Sequence, residues 1–497
     1  MNPEFDAPTR VFSLRQQAEA CIVGHRRLLL AFSGGLDSTV LLDVLTAWRN
    51  SEVTSADTKF SLKLRAIHVH HGICQHADHW AEHCAQQCQL RGVPFNVIFI
   101  NLDKNAPDGI ESAARHTRYQ VLRDNLLPHE VLVTAQHLDD QAETLLLALK
   151  RGSGPAGLAA MAANAPYYGH RLLRPLLACH QTQLEMYAHE HHLNWIEDDS
   201  NKDIHYDRSF IRSHILPPMR QRWPWFSEAV ARSAQLCAEQ EALLDELLAD
   251  TLATLTQPDG SLQLMELIPM SAPRRRALLR RWLANSGARM ASRKKLDHIW
   301  REVVLSRRDS ASQLQLDDLL LRRFCDRLYL LPIQVAYPLD KMVLPWPSVK
   351  TVLSLPQELG VLIRHLVPTS TIVTDEQDSL PENLSPDTSE VFKVAARCVI
   401  RAPLFDEQVS VRFGSVSGLQ HIVGRHRGRS LKKLWQELKI PPWLRRRTPL
   451  LFYNQTLIAV LGVFITQKGE AKKQNRRWQL YWLQKQSCHF HSSEKKR

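Results

Sequence analysis

Residues 28–45 read LLLAFSGGLDSTVLLDVL. An apolar run leads into Ser33-Gly34-Gly35-Leu36-Asp37-Ser38, and apolar residues then resume at helical spacing. A buried strand, a turn of small residues and a helix opening at Asp37 bring successive backbone N–H groups and a helix N-terminus to one point. That is an anion cradle. Gly34 and Gly35 let the backbone approach a phosphate closely, and Ser33 and Ser38 add hydroxyl donors. Asp37 is the odd member, because a carboxylate beside phosphates is repulsive unless a cation lies between them. It is expected to hold Mg²⁺ or to face a cationic substrate. The plain alternative is a glycine turn whose Asp caps a helix. The turn lacks the lysine of a Walker A loop and does not match the dinucleotide pattern G-x-G-x-x-G.

The surrounding chain is that of a globular protein: 497 residues, 44% hydrophobic and 23% charged. Its length suggests about three domains. The net charge of +12 favours a polyanionic partner such as nucleic acid. With no signal-like N-terminus and no long apolar run, a cytoplasmic protein without a membrane partner is expected. The nine cysteines include no CxxC pair, which suits reduced thiols better than a disulfide framework.

Strands are expected at Leu28–Phe32, Leu64–His70, Phe95–Leu102, Val131–Gln136 and near Trp195, with helices opening near Asp37, Ala77, Ala113 and Asp139. This alternation predicts a doubly wound α/β fold with a mainly parallel sheet over 1–218, its ligands at the carboxyl ends of the strands. Residues 219–335, rich in Ala, Leu, Glu and Arg, read as a helical domain. The stretch 336–395, which contains DEQDSLPENLSPDTSE, reads as a linker. Residues 396–487 form a basic α+β unit, followed by a tail at 488–497.

Four groups of residues carry chemistry. HLDDQAET puts Asp139, Asp140 and Glu143 in the first turn of a helix, where paired carboxylates can share a face, although acids there also suit the helix dipole in any protein. His137 ends the strand before them, and His70 and His71 end another at the ligand edge, so His71 and His137 are candidates for nucleotide contact. Arg208 and Arg212, four apart in RSFIR, can meet ATP or RNA phosphate. Near the C-terminus Arg425, Arg427, Arg429, Lys432, Lys433, Arg445 and Arg446 are interleaved with Trp435 and Trp443, a pattern suited to an RNA backbone and its unpaired bases. Trp435 is expected in the core. The histidines between 68 and 83 lack zinc-site spacing, and His79 and His83 are expected on a helix surface.

The turn S-G-G-x-D-S after a first strand resembles the PP-loop of the ATP pyrophosphatases, a superfamily that cuts ATP between its α and β phosphates. AIHVHHGI (66–73), ESAARHTRY (111–119), TAQHLDDQAETLLLALKRGSGPAGLAAM (134–161), RPLL (174–177), WIEDDSN (195–201), YDRSFIR (206–212) and the basic region 421–466 together resemble the tRNA(Ile)-lysidine synthetases. The resemblance covers nearly the whole chain outside 337–389 and the tail. It implies ATP with Mg²⁺ as co-substrate, free L-lysine, and an isoleucine tRNA with a CAU anticodon as partner. It places ATP on Ser33, Gly34, Gly35, Leu36, Asp37, Ser38, His71, Arg115 and His137. Lysine falls to Asp139, Asp140 and Glu143, and catalysis to Asp37, Arg115, Asp140 and Glu143. No zinc and no iron–sulfur cluster are expected, a thiolase being disfavoured by the missing CxxC pairs; a homodimer stays open. A binding factor that uses ATP only to switch shape is the reading from another class.

Overall fold

The computed structural model describes residues 14–53, 62–72, 76–100, 110–197, 203–288, 291–307, 312–333, 339–340, 342–347, 349–367, 392–472 and 476–485. The chain divides into two compact units, residues 1–247 and 248–497.

The first unit opens with helix α1 (Leu14–Ile22), strand β1 (Arg27–Ala31), α2 (Leu36–Val53), β2 (Lys63–His70), α3 (Ala77–Leu90) and β3 (Phe95–Phe99). It continues with α4 (Ile110–Asp124), β4 (Val131–Val133), α5 (Leu138–Lys150), α6 (Pro155–Leu158), β5 (Asn164–Tyr167), β6 (His170–Leu173) and α7 (Gln181–Glu190). Next come α8 (Asp207–Phe210), a π-helical turn over Ile211–Ile215, and α9 (Leu216–Arg222). The chain passes into the second unit within α10 (Phe226–Leu255).

The sheet order is β3-β2-β1-β4-β6-β5, and every pair is parallel except the β5–β6 hairpin. β1 is central because Leu28, Leu29 and Leu30 are all fully buried. Alternate residues feed opposite faces: Leu28 and Leu30 pack with Ala18, Leu41 and Leu184, whereas Leu29 packs with Ile67, Leu122, Leu132 and Tyr167. Helices therefore cover both faces, and the cradle at the end of β1 lies on the carboxyl edge.

The strand expected near Trp195 does not form. That segment instead closes over the turn through one bond, Ile196 N–H to Gly34 O at 2.9 Å. The sheet edge is completed by β5 and β6, each four residues long, and β5 contains Pro166, so their sequence reads as loop.

The second unit corrects two boundaries. Residues 219–335 hold α11 (Ala272–Asn285) and α12 (Arg293–Ile299), but also an antiparallel sheet. Its strands are β7 (Leu262–Gln263), β8 (Gln313–Leu316), β9 (Leu319–Phe324) and β10 (Arg327–Pro332), in the order β7-β10-β9-β8. These strands are built from leucine and arginine, so they carry helix-forming composition; burial of Leu262, Leu316, Leu321 and Leu328 overrides it.

The stretch 336–395 is not simply a linker. It contains β11 (Val343–Pro345), β12 (Val352–Ser354), β13 (Val361–Val367) and the start of β14 (Phe392–Arg401). The acidic DEQDSLPENLSPDTSE segment and the 488–497 tail lie outside the described residues. The remaining elements are β15 (Val409–Arg412), β16 (Leu419–Gln420), β17 (Arg429–Ser430), α13 (Leu431–Glu437), α14 (Pro442–Arg445), β18 (Leu450–Tyr453), β19 (Thr456–Val460), β20 (Phe464–Ile465) and β21 (Arg477–Lys485). Two sheets, β11-β15-β18-β19-β20 and β12-β13-β21-β14, enclose a core in which Trp346, Leu355 and Leu362 meet Val411, Ile458 and Leu480. Arg364 fastens this joint. Buried between the rings of Trp346 and Trp478, at 4.6 and 4.1 Å, it donates to the carbonyls of Trp346 and Pro347. Burial lowers its proton affinity to a pKa of about 10. At Gly360, φ is +87° and an added Cβ would stand 1.9 Å from Leu483 O, so only glycine fits.

No described helix is long and apolar enough to cross a membrane.

Candidate active site

The cradle folds as its residue types dictate. Gly34 takes φ +84°, and a Cβ there would lie 2.8 Å from Cys84 Sγ, with Ile196 and His83 close behind. The turn is braced by Ser38 Oγ, which donates to Gly35 O at 3.1 Å and lies 3.0 Å from Ser33 Oγ. Thr39 N–H, bonded to Gly35 O at 3.0 Å, starts the helical ladder. Leu36 opens α2 and packs against the core.

His137 sits across from this turn as the N-cap of α5. Its Nδ1 accepts from Asp139 N–H at 3.3 Å, while its own backbone N–H donates to Asp140 Oδ2 at 3.1 Å. With Nδ1 accepting, Nε2 is the ring nitrogen that carries a proton. That atom lies 3.7 Å from Asp37 Oδ2 and 3.7 Å from Asp140 Oδ2. The histidine ring thus lies close to both the acid of the cradle and an acid of the facing helix. Burial raises the Asp37 carboxyl above the usual carboxylate range; His137 opposes that shift and Asp140 adds to it.

Guanidiniums partner the acids of α5. Glu143, 0% exposed, takes Arg212 Nε at 2.6 Å on one oxygen, with Arg212 Nη2 at 3.1 Å and Arg208 Nε at 3.0 Å from the other. Arg212 also reaches Asp140 Oδ1 at 3.2 Å. Burial raises the Glu143 carboxyl, and its bond to Arg212 pulls it back down. Asp139 forms an ion pair with Arg220 at 2.7 Å and accepts from Ser227 Oγ at 2.8 Å. The arginines expected on phosphate, Arg208 and Arg212, therefore face carboxylates instead. The π turn carries Arg212, and with α8 it brings both guanidiniums to Glu143. Removing Arg220 leaves Asp139 buried with only Ser227. We expect Arg220→Met to destabilise the first unit by on the order of 2 kcal/mol, less than a fully buried pair because Arg220 is partly exposed; thermal unfolding checks this.

A second wall is cationic. Arg118 on α4 is held below the usual guanidinium value first by burial and then by Arg115 and Arg208. Buried Arg174 is lowered by burial and also feels Arg115; its Nε donates to Gln136 Oε1 at 3.2 Å and it bonds Ala162 O. Burial, then Arg118, brings His71 down to about 4, so at neutral pH it is an uncharged ring. Guanidiniums that raise one another's energy in this way fit a polyphosphate. Nothing in the sequence around Arg174, Arg220 and Ser227 signals these contacts.

Among the described residues no three His, Cys, Asp or Glu converge as a metal site. His68 Nδ1 lies 3.0 Å from Phe32 O and His70 Nε2 lies 3.0 Å from Asp78. His79 is exposed as expected, but His83 is half-buried behind Gly34. The described cysteines are unpaired thiols, and burial pushes Cys84 and Cys88 up to about 12.

Comparison with known proteins bears directly on this arrangement. A PP-loop domain model matches residues 9–219, a TilS substrate binding domain model 262–329, and a TilS substrate C-terminal domain model 409–482. The tRNA(Ile)-lysidine synthase of Blochmanniella pennsylvanica is 48% identical over 485 residues, covering 95% of each chain. That of Pectobacterium atrosepticum is 51% identical over 459 residues, 92% of this chain and 95% of its own. The Shigella flexneri protein of the same name is 49% identical, covering 91% and 96%. The chain belongs to the tRNA(Ile)-lysidine synthase family. Its activity is that of the family, an ATP-dependent ligation.

The substrate C-terminal domain of this synthase family holds the basic stretch. Arg427, Lys432, Lys433 and Arg446 are exposed on and around α13 and α14. Arg425 and Arg429 both face Glu437, and Arg445 Nε donates to Ile440 O at 2.8 Å. Trp435 is buried, as its neighbours Leu431 and Leu434 require. Trp443 sits edge-on to Phe324 and Tyr329, at 5.9 and 5.2 Å. Its ring thus joins this domain to the β9–β10 hairpin of the substrate binding domain, so it is a packing residue.

Proposed function

We propose that the site joins the side-chain amine of free L-lysine to C2 of the wobble cytidine in an isoleucine tRNA with a CAU anticodon. The observation that carries this reading is the cluster around His137, whose Nε2 lies 3.7 Å from both Asp37 and Asp140 and so sets carboxylates beside the Ser33–Ser38 turn. A phosphate site uses acids only through a metal ion, whereas a cationic amino acid substrate binds several of them directly.

The C2 oxygen of cytosine is a poor leaving group. It first attacks the α-phosphorus of ATP; the bond to the β-phosphate oxygen breaks and diphosphate leaves. The Ser33–Ser38 turn holds the phosphates, and Arg115, Arg118 and Arg174 take up charge that develops on them. Lysine nitrogen then attacks C2, and AMP departs with the former C2 oxygen. At neutral pH almost all lysine side chains are ammonium, with a pKa of about 10.4. Asp140, held close to Asp37 through His137, binds that ammonium and accepts its proton. Glu143 offers the cation an oxygen when a guanidinium gives way. Asp37 also has the hard oxygen donor that Mg²⁺ prefers, and the ion, when bound with ATP, screens the phosphates from the acids.

The exposed cations of the C-terminal domain hold the RNA backbone. Binding is then salt-sensitive, and we expect Lys432→Ala with Lys433→Ala to flatten the slope of log affinity against log salt by about one unit per lost contact. An unchanged slope removes these lysines from the interface.

The reading is tested with Mg-ATP, radiolabelled lysine and an isoleucine tRNA transcript, with methionine tRNA as control. Label in the isoleucine tRNA alone, with matching AMP release, supports it. AMP release without label sends the search to another nucleophile.

A further inference from the structure

The segment from α8 to α9 has two sides. Arg208 and Arg212 turn inward to Glu143, and Ile211 and Leu216 are buried. Outward, Tyr206, Phe210 and His214 recur at every fourth position, all exposed. Phe210 and His214 are already stacked, with centroids 5.1 Å apart and planes 7° from parallel. The stack is fixed in place: Ser213 Oγ lies 2.7 Å from His214 Nδ1 and donates to Ser209 O at 2.7 Å. Asp207, at the start of α8, is clamped by Lys150. Beyond α9, Trp223 and Trp225 are 45% and 60% exposed, and the Arg222 guanidinium lies 6.0 Å from the Trp223 ring.

Contiguous exposed apolar surface marks a binding site more often than a resting state. Flat rings that already stack, as Phe210 and His214 do, bind other flat rings with little entropy to lose. A paired helix shows proteins its backbone and groove edges, whereas unpaired RNA bases expose their faces. The stripe also lies on the outer side of the segment whose inner side holds the acids.

We propose that Tyr206, Phe210 and His214 form a stacking platform for the unpaired anticodon bases next to the cytidine delivered to Asp140. The proposal rests on the tRNA reading above and adds the residues that position the loop. A base turned into the pocket loses its neighbours in the stack, and the aromatic stripe replaces them. Phe210 is thus a positioning residue: it acts on how often the loop presents its cytidine, and the chemistry afterwards is untouched.

The test uses the full chain and a CAU anticodon stem-loop carrying 2-aminopurine beside the target base. Stacking on the wild-type protein quenches its fluorescence. Phe210→Ala and Phe210→Leu should each weaken stem-loop binding about tenfold and abolish the quench, since base stacking on one ring is worth roughly that much. With intact tRNA, KM rises by a similar factor while kcat at saturating tRNA and Mg-ATP affinity hold. Phe210→Trp, which keeps a ring, should restore both. Unchanged quenching and KM in folded Phe210→Ala and Phe210→Leu proteins would overturn the proposal and leave the stripe to a protein partner. If His214→Ala behaves as wild type, the platform loses that member. Failure of the tRNA reading shows separately, as absence of lysine incorporation by the wild-type protein.

Discussion

Asp37→Asn should stop lysine incorporation and, at the same time, raise the melting temperature at pH 7. Both effects follow from one carboxylate placed where a folded protein does not want it. Burial holds the Asp37 carboxyl above its ordinary value. The folded-state value then exceeds the unfolded one, so the group's favourable contribution is fully present below the unfolded value and is lost as pH rises through the folded one. At pH 7 the ionised side chain burdens the fold, and asparagine removes the burden while keeping the shape. The gain should shrink as pH falls into the carboxylate range. Turnover moves oppositely: a lost acid–base group typically costs about 10²–10⁴-fold, and in the proposed mechanism Asp37 faces phosphate and amine alike. Lysine incorporation and thermal scans at pH 7 and pH 4 check the pair. Normal turnover would take Asp37 out of the mechanism; a lower melting temperature at pH 7 would mean that its contacts, not its burial, dominate.

The second large effect is at Gly34. Alanine meets two obstacles there, the Cys84 sulfur 2.8 Å from the new methyl and a φ of +84°. The backbone term costs on the order of 1–3 kcal/mol. The contact forces the turn outward, and a shift of about 1 Å in a phosphate cradle costs about 10²-fold in rate. Gly34→Ala should therefore lose Mg-ATP affinity and turnover together. Adding Cys84→Ala relieves the contact but not the dihedral, so recovery is partial. Complete rescue would assign the whole effect to packing, and unaltered ATP affinity in the single variant would remove the turn from the phosphate site.

Much of this site was legible because it is local. The strand, turn and helix of residues 28–45 are adjacent in sequence, and HLDDQAET carries its cap and its acids within one helical turn. What could not be read was pairing between distant residues. Nothing near Glu143 says that Arg208 and Arg212 neutralise it, since a π turn brings them there. Nor does anything near Asp139 say that Arg220 and Ser227 sit on it. The fold divides the same way. Parallel strands flanked by helices were visible as long apolar runs, whereas β5, with its proline, and the leucine-rich β8–β10 lacked the β-branched signature. Trp346 and Leu355 were hidden by the prolines and serines around them, because composition averages over a window and a core is chosen residue by residue.

The position of β21 has a consequence for synthesis. It is an interior strand of its sheet, paired on one side with β13, where Val361 meets Leu483, and on the other with β14, where Arg401 meets Arg477. Until residues 477–485 have left the ribosome β14 has no neighbour in the sheet and β13 has only β12, and contacts this far apart in sequence close slowly. β1 to β4, in contrast, find their partners while the rest is still being made. A nascent chain completes the sheet that carries the Ser33–Ser38 turn early and its C-terminal sheet last.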